Sequence, residues 1–191
     1  MPKSVLFDRD NVISRVTDLF WEKGYNATSM QDLVDATGLN RSSIYNTYGD
    51  KYNLFVAALK HYQAQQNDLL STAAQKSQSP KKAIEMLFNA TWEQLHEEHN
   101  KGCFLSNCAT EMSNADPKIK GFLSDNKCAV VTTFKSLIEQ AQDSGEIDSS
   151  KDAEVLAHYL FSSLQGLRVT SMIDGNKKHI KGIADQVLSV L

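Results

Sequence analysis

Turn-forming residues are few in this chain: its 191 residues include 9 Gly and 3 Pro. Each reversal of a many-stranded sheet draws on that chemistry, so the shortage argues against such a sheet. The Ala, Leu, Gln, Lys and Glu content points instead to an all-α fold. Cysteine is scarce and odd in number. Cys103, Cys108 and Cys128 follow an N-terminus, Met1-Pro2-Lys3-Ser4-Val5-Leu6-Phe7, with neither a long apolar core nor a small-residue cleavage pattern. Neither a disulfide framework nor export is therefore expected. No apolar run approaches the length of a bilayer-spanning helix, and the expected location is the cytoplasm, with no membrane partner. An excess of basic charge is also absent, since 20 Lys+Arg stand against 23 Asp+Glu for a formal charge of −3. Residues 1–60 hold seven bases (Lys3, Arg9, Arg15, Lys23, Arg41, Lys51, Lys60) and seven acids (Asp8, Asp10, Asp18, Glu22, Asp32, Asp35, Asp50), so the deficit lies in the remainder. Any DNA contact must be local and geometric rather than a product of bulk charge.

Catalytic constellations are missing too. No glycine-rich phosphate loop, nucleophile elbow or paired-carboxylate arrangement occurs, so neither an enzyme nor a bound cofactor is expected. His96-Glu97-Glu98-His99 superficially resembles a zinc-protease helix. Its histidines are spaced three residues apart, however, not the four of that motif, and completion of a zinc site by Cys103 is not expected. The segment reads as the solvated end of a helix, and no metal is assigned.

What the sequence does have is helical periodicity. Val12, Ile13, Val16, Leu19 and Phe20 form one stripe, with Asp8 or Asp10 to cap it and Gly24 to end it. Thr28-Ser29 opens a short second helix with Met30, Leu33 and Val34 on its apolar face, and Gly38 stops it. After the buried turn residue Leu39, Asn40 caps a third helix over 41–48, which Gly49 closes. Asp50 starts a long fourth helix over 51–74, striped by Leu54, Phe55, Ala58, Leu59, Tyr62 and Leu69. Ser79-Pro80 and Asp116-Pro117 each pair a cap with proline at the first helical position, opening the fifth and seventh helices. A sixth is expected over 103–113, an eighth over 151–173 and a ninth over 177–191.

The second and third helices, joined by Gly38-Leu39-Asn40, have the tight glycine-containing turn of a helix-turn-helix. The wider pattern is Phe20-x-x-x-Gly24-Tyr25-x-x-Thr28-Ser29-Met30-x-x-Leu33-x-x-x-Thr37-Gly38-Leu39-x-x-x-x-Ile44-Tyr45-x-x-Tyr48-Gly49-Asp50-Lys51-x-x-Leu54. It resembles the DNA-binding domain of the TetR family of transcriptional regulators. Tyr48 departs from the family's usual phenylalanine, and Tyr52 replaces the acidic residue that usually follows the lysine. The resemblance implies an N-terminal three-helix DNA-binding domain, residues 1–50. It also implies a C-terminal effector-binding and dimerisation domain, residues 51–191, with helix 51–74 connecting the two. Thr28 and Ser29 at a helix start, Tyr45 and Lys51 are then expected on DNA phosphates, and Arg41, Ser42, Ser43 and Asn46 on base edges.

The same resemblance implies a homodimer on palindromic double-stranded operator DNA, since one helix-turn-helix makes few contacts and two-fold symmetry supplies two half-sites. Leu160, Leu164, Leu167, Ile183 and Val187 are the expected dimer contacts, with Ser162, Ser163, Gly166 and Ala184 permitting close helix approach. Phe88, Trp92, Phe104 and Phe134, with polar Asn107 and Glu111, are the expected lining of a pocket for an unidentified small-molecule effector. Lys101-Gly102-Cys103 at the start of the sixth helix also resembles a NemR-type subgroup. The alternative there is an electrophile or redox sensor using Cys103, against the plain reading of a buried thiol in a Cys-Phe-Leu run. A helical adaptor or an orphan enzyme with a TetR-like head is the remaining alternative.

Overall fold

Residues 8–94 and 100–191 are described by a computed structural model of the chain. His96 and His99 lie outside the described residues. Within them the chain is helical throughout and without strands: α1 (Arg9–Ala27), α2 (Met30–Thr37), α3 (Arg41–Tyr48), α4 (Lys51–Lys76), α5 (Pro80–Gln94), α6 (Phe104–Met112), α7 (Pro117–Asp143), α8 (Ala153–Ile173) and α9 (Lys177–Leu188). The helix starts follow from where the first backbone N–H groups find acceptors. Asp8 Oδ1 accepts from the backbone of Asp10 at 3.0 Å and Asn11 at 3.2 Å. Asn40 Oδ1 accepts from Ser43 N at 2.8 Å, and Asp50 Oδ1 from Asn53 N at 2.7 Å. Asp116, Asp152 and Asn176 do the same for α7, α8 and α9. Asp152 thus sets the start of α8 at Ala153, two residues beyond the expected 151. α1 breaks at Gly24 (φ 79°, ψ 171°) and makes a last turn before Thr28.

The chain divides into two compact units, residues 1–65 and 66–191, with the division inside α4 rather than at its start. In the first unit Val16, Phe20, Leu33, Ile44, Leu54, Phe55 and Leu59 are fully buried. The Phe20 and Phe55 rings meet edge to face at 5.0 Å, and Tyr25 lies 4.9 Å from Phe55. Tyr52, the departure from the family pattern, sets its ring edge against Tyr25 at 6.3 Å and so extends this aromatic cluster.

In the second unit α7 packs on α5, α6 and α8, and α9 on α5 and α8. Phe88, Phe134, Ile138, Ala157, Leu160, Leu164, Leu167, Ala184 and Val187 belong to its core. This corrects the expected dimer contacts. Leu160, Leu164, Leu167 and Val187 are buried against the chain's own helices, and Ile183 alone of the five is exposed. The most apolar stripe of an amphipathic helix goes to the nearest large apolar surface, which here is the same chain.

Two glycines occupy left-handed backbone for different reasons. Gly38 (φ +70°) ends α2 by donating its N–H to Val34 O at 2.8 Å, and a Cβ there would meet open space. Gly102 (φ +71°) precedes α6, and a Cβ there would run into the Met172 sulfur of α8. Gly38→Ala should therefore cost only the left-handed penalty of about 1–2 kcal/mol. Gly102→Ala should cost only slightly more, because the flexible, exposed Met172 side chain must also move. Urea unfolding of both variants, with a reporter in each unit, checks the order.

Candidate nucleic-acid interface and inner cavity

Ile44, fully buried, and Leu39, 8% exposed, fix α3 against the first unit's core. That leaves Arg41, Ser42, Tyr45 and Asn46 on the outward face, all exposed. Arg41 Nη2 donates to Gln31 Oε1 at 3.2 Å, and Gln31 Nε2 donates to Asp35 Oδ1 at 2.9 Å. This chain holds the guanidinium beside α2 while leaving most of its donors for a ligand. Ser42, Tyr45 and Asn46 make no side-chain hydrogen bond among the described residues. Ser43 is half-buried, and its backbone N–H is taken by the Asn40 cap.

The expected phosphate-contacting residues divide. Thr28 is 1% exposed and its hydroxyl donates to Gly24 O at 2.6 Å across the break in α1. A β-branched side chain at a helix end turns inward when a backbone carbonyl is left unpaired beside it. Ser29 is exposed, but its hydroxyl and backbone N–H both donate to Asp32 Oδ2, at 2.7 Å and 2.8 Å, in a reciprocal capping box. Lys51 stands at the first turn of α4 with its ammonium 4.4 Å from the centre of the Tyr25 ring. The ring orients the ammonium without neutralising it. Lys23 Nζ donates to Asp32 Oδ1 at 2.6 Å, joining α1 to the start of α2.

The second unit holds a cavity of about 430 Å³, within the range of small-molecule sites. Gln66, Leu69 and Leu70 of α4 line it together with residues of α5, α6, α7 and α8. None of the six expected pocket residues does. Phe88 and Phe134 are core, Trp92 packs against that core, and Phe104 is 2% exposed. Asn107 Nδ2 is bonded to Lys101 O at 2.9 Å and secures the turn before α6. Glu111 acts on Cys108, whose thiol is pushed up to about 12 by burial first and then by the charges of Glu111 and Asp116. Large aromatic rings fill space, so the cavity opens where short side chains, Ala90, Ser106, Ala109, Ser113 and Ser124, leave it.

Sequence reasoning missed the polar groups of this cavity. Arg168 donates through Nη2 to Gln66 Oε1 at 3.0 Å and through Nη1 to Cys103 Sγ at 3.4 Å, and Ser106 Oγ donates to Gln165 Oε1 at 2.5 Å. The available signal was Arg168 itself, the one Lys or Arg of α8. Cys103 precedes α6 without capping it, is 3% exposed and lies in the cavity wall; Cys128 is exposed on α7. Among the described residues no His, Cys, Asp and Glu cluster could hold a metal, and no helix is long and apolar enough to cross a membrane.

Comparison with known proteins matches residues 13–58 to the family described as bacterial regulatory proteins, tetR family. Residues 80–187 match the tetracyclin repressor-like C-terminal domain. An uncharacterized HTH-type transcriptional regulator, YezE of Bacillus subtilis (strain 168), is 31% identical over 193 residues, covering 100% of both chains. The HTH-type transcriptional repressor ComR of Escherichia coli (strain K12) is 29% identical, with 96% of this chain and 88% of the relative covered. Among solved structures, a cysteine mutant of the regulator CifR complexed with 26-bp double-strand operator DNA superposes with a TM-score of 0.87. It is 24% identical, covering 99% of this chain and 98% of that one.

The Lys23 hydrogen bond, then those from the Ser29 backbone and hydroxyl, hold the Asp32 carboxyl well below its ordinary 3.8. Unfolding would return it to that ordinary value, so the cap's contribution is fully present above pH 3.8 and fades as pH falls further. Carboxyl NMR titration should place the Asp32 midpoint below that of exposed aspartates, and Lys23→Met should move it upward.

Proposed function

The chain belongs to the TetR family of bacterial regulatory proteins and is a DNA-binding transcriptional regulator, and from that premise we propose that it is a cytoplasmic repressor. In this reading it sits on palindromic operator DNA as a homodimer and leaves when a small molecule fills the cavity of its second unit. The family is one of regulators, not enzymes. The observation that carries the DNA reading is the outward face of α3, where Arg41, Ser42, Tyr45 and Asn46 stand together and exposed. Arg41 and Asn46 have the fork and amide geometry that read guanine and adenine edges, while Lys51 supplies a point charge for a phosphate. Lys51→Ala should weaken binding to all sequences about equally and flatten the salt dependence. Asn46→Ala should cost roughly 1–3 kcal/mol, chiefly on the cognate site. Fluorescence anisotropy on cognate and scrambled duplexes separates the two; equal losses on both duplexes for both variants would remove Asn46 from base reading.

The dimer reading rests on the other face of α8. Val155, Tyr159, Val169 and Ile173 are exposed, with Ser162 and Gly166 between them, at alternating steps of three and four residues. Ile183 of α9, which packs on α8, is exposed as well. Such a face, apolar and flanked by small residues, suits a second copy of the same helix. Val169→Glu should give monomers in sedimentation with unchanged helical content, because it places a charge in the contact without touching the core. A monomeric wild-type protein at micromolar concentration would reject the homodimer.

Effector action follows from shared structure. Gln66, Leu69 and Leu70 line the cavity and belong to the same helix that begins with Lys51. A ligand that favours one position of this helix shifts the population of DNA-competent molecules by its differential affinity for the two states. Cys103 takes part here as cavity wall.

A further inference from the structure

The cavity's charges say more about its occupant than its size does. Three lining residues are cations, Lys120, Lys127 and Arg168, and no Asp or Glu lines it. Lys120 and Lys127 are exposed on α7, whereas Arg168 is half-buried and has only neutral acceptors: the Gln66 amide oxygen at 3.0 Å and the Cys103 sulfur at 3.4 Å. It forms no ion pair with a carboxylate among the described residues. A guanidinium withdrawn from water costs desolvation that an amide and a thiol offset only in part, whereas a carboxylate offsets it through two parallel charge-assisted hydrogen bonds. Leu87, Leu105, Leu123, Val130, Phe161 and Leu164 give the wall its apolar part, interrupted by neutral polar side chains such as Thr91, Ser106 and Asn126.

We propose that the effector is an amphipathic anion, a carboxylate with an apolar tail, whose head replaces Gln66 and Cys103 on Arg168 while its tail lies along the leucine-rich wall. This rests on the reading of the cavity as the effector site. It also supplies the release step. Arg168 Nη2 is the hydrogen-bonding link from α8 to Gln66 of α4, so a head group that takes over Nη1 and Nη2 frees Gln66 and loosens α4 at that point. Lys120 and Lys127 draw the anion toward the cavity without having to bind it.

The test is calorimetric titration of the full-length protein with three probes of equal chain length: decanoate, decanol and decylamine. Decanoate should bind at least about tenfold more tightly than decanol, and decylamine more weakly than either. Arg168→Met should lose that advantage and leave decanol unchanged, and Arg168→Lys, which keeps the charge without the fork, should fall between. Unliganded Arg168→Met should melt no lower than wild type, because it removes an under-compensated charge; a marked fall in its Tm would mean that the guanidinium is a structural group. Equal affinity of wild type for decanoate and decanol, or equal loss of both in Arg168→Met, overturns the anion assignment. Ala109→Trp, which fills the cavity from α6, separates the two levels. If it abolishes decanol binding while wild type shows no preference for the acid, the cavity is a ligand site and the anion assignment alone fails. If decanoate binds equally well to Ala109→Trp and Arg168→Met as to wild type, the cavity is not its site and both readings fail.

Discussion

Each α-helix begins with backbone N–H groups that have no partner inside the helix, and the architecture of this chain depends on where those groups find acceptors. Asp8, Ser29, Asn40, Asp116, Asp152 and Asn176 each supply one. In the first unit the consequence is functional. Ser29 and Asn40 set the starts of two eight-residue helices, α2 and α3, and Gly38 ends the first in the left-handed backbone that a tight turn needs. With both ends fixed, burial of Ile44 decides which way α3 rolls, and the side left exposed is the face proposed to meet DNA.

The same economy is visible in α8, where three demands fall on one helix. One stripe, Ala157, Leu160, Leu164 and Leu167, is consumed by the chain's own core. The opposite stripe, with Val155, Tyr159, Val169 and Ile173 exposed, is the one proposed to meet a second copy. Arg168 and Gln165, on neither stripe, turn to the cavity shared with α4 and α6. A helix has room for these three roles because its 3.6-residue period places residues four and three apart on one face while neighbours diverge by about 100°. A change in the cavity is thereby adjacent to the helix proposed to join two copies.

The sequence by itself determined the helices and their order, because caps, prolines at the first turn and glycines at the last act over four or five residues and leave local signatures. α3 begins and ends where Asn40 and Gly49 put it, and the Phe20 to Leu54 pattern was enough to place the chain in its family. Context gave several of the expected groups other partners. Thr28 has the chemistry of a phosphate donor, but a carbonyl left unpaired at Gly24 claims its hydroxyl. The aromatic residues expected in a pocket, Phe88 and Phe134 among them, were drawn into the core because they bury the most surface. Only the tertiary structure decided which apolar stripe of α8 remains outside and where the cavity opens. It also decided that Arg168 meets Gln66 and Cys103, residues 102 and 65 positions away in the chain. Those outcomes depend on volume and on competition between surfaces, and neither quantity belongs to any single stretch of sequence.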